Sequence, residues 1–164
     1  MTKDFRCAVA IVAPIERVFA GLTDLSAFHQ WMPGFESVQT DGSLQLAVGS
    51  VFRETRRLFG QLATEEFVVA ACEAPTRLVL RVDASKNTSA KGMFYYTYLL
   101  SVDGEGCRLE LAGSVDMPGF FATIFGGLMI GMFKTACQKD LAAFAAWIAA
   151  QPAVAGACVP PESA

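Results

Sequence analysis

Hydrophobic and polar positions change their period twice along this chain, and the changes divide it into a short head, a long alternating middle and an apolar end. In the head, residues 4–13 contain the apolar run Ala8-Val9-Ala10-Ile11-Val12-Ala13. That run is shorter than most export-signal cores and gives way at once to Pro14-Ile15-Glu16-Arg17, so it predicts a first strand. Pro14 suits the first position of a helix, Glu16 complements its positive end, and Ile15, Val18, Phe19 and Leu22 recur at helical spacing. Thr23 or Asp24 can cap a second short helix carrying Leu25, Phe28 and Trp31, which Pro33-Gly34 stops.

The middle alternates. Residues 35–40, 51–59, 62–72, 78–84, 92–102 and 107–117 each read as a strand. Asp41-Gly42, Gly60, Ala74-Pro75-Thr76, Lys86-Asn87-Thr88-Ser89 and Asp103-Gly104-Glu105-Gly106 separate them, and such short connections make antiparallel neighbours. The end, residues 118–150, predicts one long helix. No residue from Met117 to Phe133 is charged, which in a soluble protein means burial on every side. Further on, Ile130, Phe133, Cys137, Leu141, Phe144 and Ile148 form one stripe while Lys134, Thr135, Gln138 and Lys139 gather elsewhere, so the stripe should face a sheet. Residues 151–164 have no period and a single charge, Glu162, and read as a mobile tail beyond one domain of residues 1–150.

Composition narrows the class. A chain of 164 residues suits one domain and buries about 70% of its unfolded surface. Net charge is −3, with 13 basic residues scattered except at Arg53, Arg56 and Arg57, so a nucleic-acid partner is not expected. Five cysteines, odd in number and far apart, suggest reduced thiols and a cytoplasmic location. The 17 uncharged residues 117–133 sit at the bottom of the roughly 17–25 that span a bilayer, and Pro118, Gly119, Gly126, Gly127 and Gly131 interrupt them. Gly127 and Gly131 form a GxxxG, which permits close backbone approach in a bilayer or over a sheet. Burial against the sheet is therefore the expectation, with membrane contact second to it.

Strand, two short helices, a six-stranded meander and a long closing helix is an α+β order. Residues 5–13, Ala13-Pro14-Ile15-Glu16-Arg17-Val18-Phe19, Thr23-Asp24-Leu25, Trp31-Met32-Pro33-Gly34, Gly49-Ser50-Val51-Phe52-Arg53 and Asp140-Leu141 resemble the START-like or SRPBCC superfamily over residues 4–149. The resemblance implies a helix-grip fold, in which a seven-stranded curved antiparallel sheet wraps the last helix around a hydrophobic cavity. Members include lipid carriers, quinone-binding proteins, polyketide cyclases, plant pathogenesis-related proteins and oxygenase domains, so it marks fold better than function.

Candidate chemistry is sparse. His29 is the only histidine and the cysteines are scattered, so neither a metal site nor a cofactor is expected. Asp24, Ser26 and His29 lack any nucleophile-elbow signature, and no catalytic residue is assigned. Gly104-Glu105-Gly106 reads as a hairpin turn, and the sequon Asn87-Thr88-Ser89 is idle without export. On strand 51–59, Phe52, Glu54, Arg56 and Leu58 share one face and Arg53 and Arg57 the other, so charge lies on both. The plainer expectation is an overhanging strand wet on both faces, because charged residues are seldom buried. The sharper one makes Glu54 or Arg56 the polar end of a greasy pocket. Its mouth would then be Trp31, with Phe52, Tyr96, Tyr98, Phe125, Met129 and Phe133 as candidate ligand contacts. Three functions follow: binding of a hydrophobic small molecule such as a lipid, quinone or polyketide; a polyketide cyclase or dehydratase in the same cavity; or a membrane-associated adaptor resembling an accessory protein of carbon monoxide dehydrogenase.

Overall fold

The computed structural model describes residues 2–40, 42–58, 60–86, 92–116 and 121–152, with the side chains at 85 and 121–129 outside that description. The elements follow the expected order: β1 (Thr2–Ile11), α1 (Ile15–Leu22), a 3₁₀ turn (Leu25–Ala27) running into α2 (Phe28–Trp31), β2 (Phe35–Thr40), β3 (Val51–Leu58), β4 (Gln61–Glu73), β5 (Arg77–Asp83), β6 (Met93–Asp103), β7 (Gly106–Asp116) and α3 (Phe121–Ala150). One antiparallel sheet holds all seven strands in the order β1-β7-β6-β5-β4-β3-β2. The meander accounts for six of them, and β1 closes the sheet by pairing with the last strand. This is the helix-grip fold.

Several boundaries move for physical reasons. β1 stops at Ile11, two residues early, because its partner β7 begins opposite it at Cys107 and Ala13 turns back to donate its N–H to the Ile11 carbonyl at 3.0 Å. Pro14 stands just before α1 instead of inside it, and its carbonyl accepts the first helical hydrogen bonds from Arg17 and Val18. Asp24 is the cap of the second helical piece, accepting from the Ser26 N–H at 2.9 Å, while Thr23 is buried and donates its hydroxyl back to Phe19 at 2.9 Å. Residues 117–120, where the long helix was expected to start, lie outside the described residues. So do the sequon and all but the first two residues of the predicted tail. Among the described residues, no helix is long and apolar enough to cross a membrane.

The core lies between the concave face of the sheet and the helices. Phe144, Ile148, Leu141 and Cys137 of α3 are buried there, on the stripe that the sequence spacing marks out. Each such apolar side chain contributes roughly 1.5–3 kcal/mol when fully buried. Opposite them stand Leu109, Leu111 and Val115 of β7, Leu78, Leu80 and Val82 of β5, and Phe5 of β1. Gly113, paired with Phe5, leaves room for that ring, because a side chain on Gly113 would occupy the same space. The far end of α3 is tied down from α1: Arg17 Nη2 donates to the carbonyls of Ile148 at 3.1 Å and Gln151 at 2.7 Å, satisfying last-turn acceptors and complementing the helix dipole. Trp147 Nε1 adds a bond to Gln30 at 3.1 Å.

Candidate functional site

β3 lays its even-numbered residues against the core: Phe52 and Glu54 are buried, whereas Val51, Arg53 and Arg57 are exposed. The overhanging strand with two wet faces is thus not what the fold builds. β2 on one side and β4 on the other hold β3 inside the sheet, and its inner face is roofed by α2 and α3. A tight turn fixes the end of this strand. Gly34, with φ +71°, accepts the Arg57 N–H at 2.7 Å, and a side chain there would strike the Arg57 carbonyl.

Between this strand and α3 lies a cavity of about 80 Å³. Its walls are mostly apolar, with Trp31, Phe67, Phe133 and Phe144 among them, and its polar groups are Glu54, Arg56, Glu65, Tyr96, Tyr98 and Asp140. Arg56 is clamped. Its Nη1 and Nη2 donate to the two carboxylate oxygens of Asp140 at 2.9 and 2.7 Å, and Nη2 also donates to the Pro33 carbonyl at 3.0 Å. Burial works against the guanidinium charge, but the hydrogen bonds and charge of Asp140, with help from Glu54, outweigh it and raise the Arg56 pKa.

Residues 3–148 match the family described as polyketide cyclase / dehydrase and lipid transport. The chain belongs to that family. Solved structures agree on the fold. The Zhui aromatase/cyclase from a Streptomyces species superposes with a TM-score of 0.76 at 15% identity, covering 95% of this chain and 99% of its own. A protein of Thermus thermophilus gives 0.69 at 17% identity over 90% and 98%. Ara h 8.0201 gives 0.70 at 11% identity over 92% and 100%. No curated protein matches the chain.

In this family member, six of the nine candidate contacts meet around this cavity: Trp31, Glu54, Arg56, Tyr96, Tyr98 and Phe133. Trp31 lies edge-on to Phe28 and Phe144, with ring centroids at 5.5 and 4.9 Å. Phe52 does not join them. It stacks on Phe67 at 5.0 Å and meets Phe28 edge-on, so it is core behind the cavity wall. The side chains of Phe125 and Met129 lie outside the described residues. His29 is exposed at the end of α2, away from the cavity.

Two acidic residues went unassigned by the sequence reading. Glu65 of β4 stands directly opposite Glu54 in the β3–β4 register, and Asp140 sits one turn beyond Cys137 on α3. The signal for Asp140 was its place beside the apolar stripe. For Glu65 it was the alternation of β4, which needed the register to become meaningful. Burial pushes the Glu54 carboxyl up to about 7; Arg56 works against that rise, while Glu65 and Asp140 add to it. Burial likewise raises Glu65, against the pull of Arg56, and raises the Tyr96 and Tyr98 hydroxyls well above their ordinary value. Cys137 is pushed up to about 12, first by burial, so it is an inert thiol at neutral pH.

Proposed function

We propose that the protein binds a small hydrophobic molecule in the cavity between β3, β4, β6 and α3. What carries this reading is the cavity itself: aromatic and aliphatic walls, with a few polar groups converging at one end. An apolar ligand gains roughly 25 cal/mol for each Å² it removes from water. At about 80 Å³ the cavity holds a few waters, at ~10–15 Å³ apiece, so a single ring is the natural size of occupant. A longer lipid or polyketide body would enter by displacing Met32, whose flexible thioether adapts readily.

The test is an NMR titration with toluene and indole. Saturable shifts are expected at Trp31, Tyr96, Tyr98 and Phe133, weakened in Tyr98→Ala and abolished in a folded Phe133→Asp. Absence of saturable shifts in the wild type, or full retention in Phe133→Asp, would overturn the reading.

A cyclase or dehydratase acting in the same cavity is the second reading. It draws on the family, on the aromatase/cyclase fold neighbour, and on a carboxyl titrating near neutrality, which suits proton transfer. Loss of water from a linear poly-β-ketone in the presence of wild type, but not of Glu54→Gln, would favour it. A cytoplasmic location belongs to both readings. Recovery of most of the protein in carbonate-washed membranes would contradict that location and favour an adaptor.

A further inference from the structure

The Glu54–Glu65 pair is not needed to hold the fold together, and its placement points to the chemistry of the ligand. Two carboxyls directly opposite on neighbouring strands repel when both are ionised. Glu54 is the more enclosed, its side chain only 7% exposed, and its nearest cation is Arg56 Nη1 at 3.8 Å. That guanidinium is already engaged by Asp140 and the Pro33 carbonyl. No hydrogen bond satisfies the Glu54 carboxyl among the described residues, although it lines the cavity.

Donors that could receive an anion are withheld. Among the described residues, the buried donors without partners are Trp31 Nε1 and Arg56 Nε, and neither has surface open to the cavity. The charged groups around the cavity are Arg56, Asp140, Glu54 and Glu65; Arg56 and Asp140 cancel, and the remainder is negative once the two glutamates ionise.

We propose that the cavity selects a hydrophobic amine, its apolar body against Phe67, Phe133 and Phe144 and its protonated nitrogen donating to Glu54 and Glu65. This rests on the binding reading above and sharpens it. An ammonium supplies the donors and the opposite charge that the pair lacks, an alcohol supplies only a donor, and a carboxylate adds a third negative charge.

Binding should also depend on pH. Glu54 is faced by Arg56 on its own strand, Glu65 on β4, Tyr96 and Tyr98 on β6, and Cys137 and Asp140 on α3. Of these, the two glutamates change charge between acid and neutral pH, both with raised values. Raising the pH ionises them while an alkylamine stays protonated, so amine affinity should rise across that range.

Phenylethylamine, phenylethanol and phenylacetate share one apolar body and differ at the polar end. Calorimetric or NMR titration should rank them amine, alcohol, carboxylate, with at least about tenfold separating the extremes near pH 8. Amine affinity should fall several-fold toward about pH 5, as the pair takes up protons. Glu54→Gln and Glu65→Gln, both close to isosteric, should each remove most of the preference, whereas Glu66→Gln on the outer face of β4 should leave it intact. If the three bind equally, or phenylacetate binds best, the amine proposal fails while cavity binding stands. A preference that survives in both folded Glu→Gln variants also overturns it. If none of the three binds, and toluene and indole do not either, both readings fail together.

Discussion

Adjacent rungs of the β3–β4 ladder use acidic residues in opposite ways. On the outer face Arg53 stands opposite Glu66 and donates Nε and Nη2 to one carboxylate oxygen at 3.1 and 3.0 Å, with Lys86 reaching the other at 3.6 Å. One residue along, on the inner face, Glu54 stands opposite Glu65 with no basic partner between them. The outer rung follows the usual logic of a solvated sheet and is worth little, since water screens it. The inner rung breaks that logic where the penalty is larger, because desolvation magnifies each unpaired charge. A sheet selected for stability alone would place a hydrophobic or an opposite charge there. Local rules are most often broken at functional sites, and the broken rung borders the cavity.

The sharpest way to test this contrast is to remove one cation from each face. Arg56→Ala strands the Asp140 carboxylate beside the cavity and should cost about 3–5 kcal/mol in urea unfolding, whereas Arg53→Ala should cost less than about 1 kcal/mol. Equal losses would erase the distinction between the faces.

Glu54→Gln comes next and should act in the opposite direction. Glu54 keeps its proton up to about 7 in the folded state against an ordinary 4.5, so between those values the folded protein binds more protons than the unfolded chain. Stability therefore falls as pH rises through that window, and the loss is complete above it. At 1.36 kcal/mol per unit, Glu54→Gln should gain roughly 3 kcal/mol over wild type above pH 7 and almost nothing below about pH 4. Unfolding midpoints near pH 4 and pH 8 check this, and a pH-independent difference would mean that the carboxyl is not desolvated as the fold implies.

The smallest effect belongs to the outer rung. A double-mutant cycle on Arg53 and Glu66 should return about 0.2–1 kcal/mol, falling further in molar salt. A coupling as large as that of Arg56 with Asp140 would show that exposure does not separate the two faces.

Much of the fold was legible in the residues because its signals are local. Period-two alternation marks each strand, the stripe from Ile130 to Ile148 marks the buried side of α3, and Gly and Pro mark the joints. The even-numbered face of β6, with Phe94, Tyr96 and Tyr98 together, could be read in the same way, as could the presence of charge on both faces of β3. The loop 42–50 could not. It has no period, yet Gln45 Nε2 donates to Thr23 Oγ1 at 2.6 Å and Leu46 is buried, pinning the junction of the two short helical pieces.

By itself, then, the sequence determined the order and type of the elements, the family resemblance and the set of polar residues from which a cavity could be built. Only the tertiary structure decided which face of β3 turns inward, that Glu65 opposes Glu54, that Phe52 belongs to the core, and that Arg56 is held by Asp140 from 84 positions away. The physical reason is one of range. Alternation along a strand reports the two faces but not which is inside, and a one-residue shift in register exchanges them. That choice is made when β1 pairs with β7 and α3 settles across the sheet, bringing together charges that no local spacing relates.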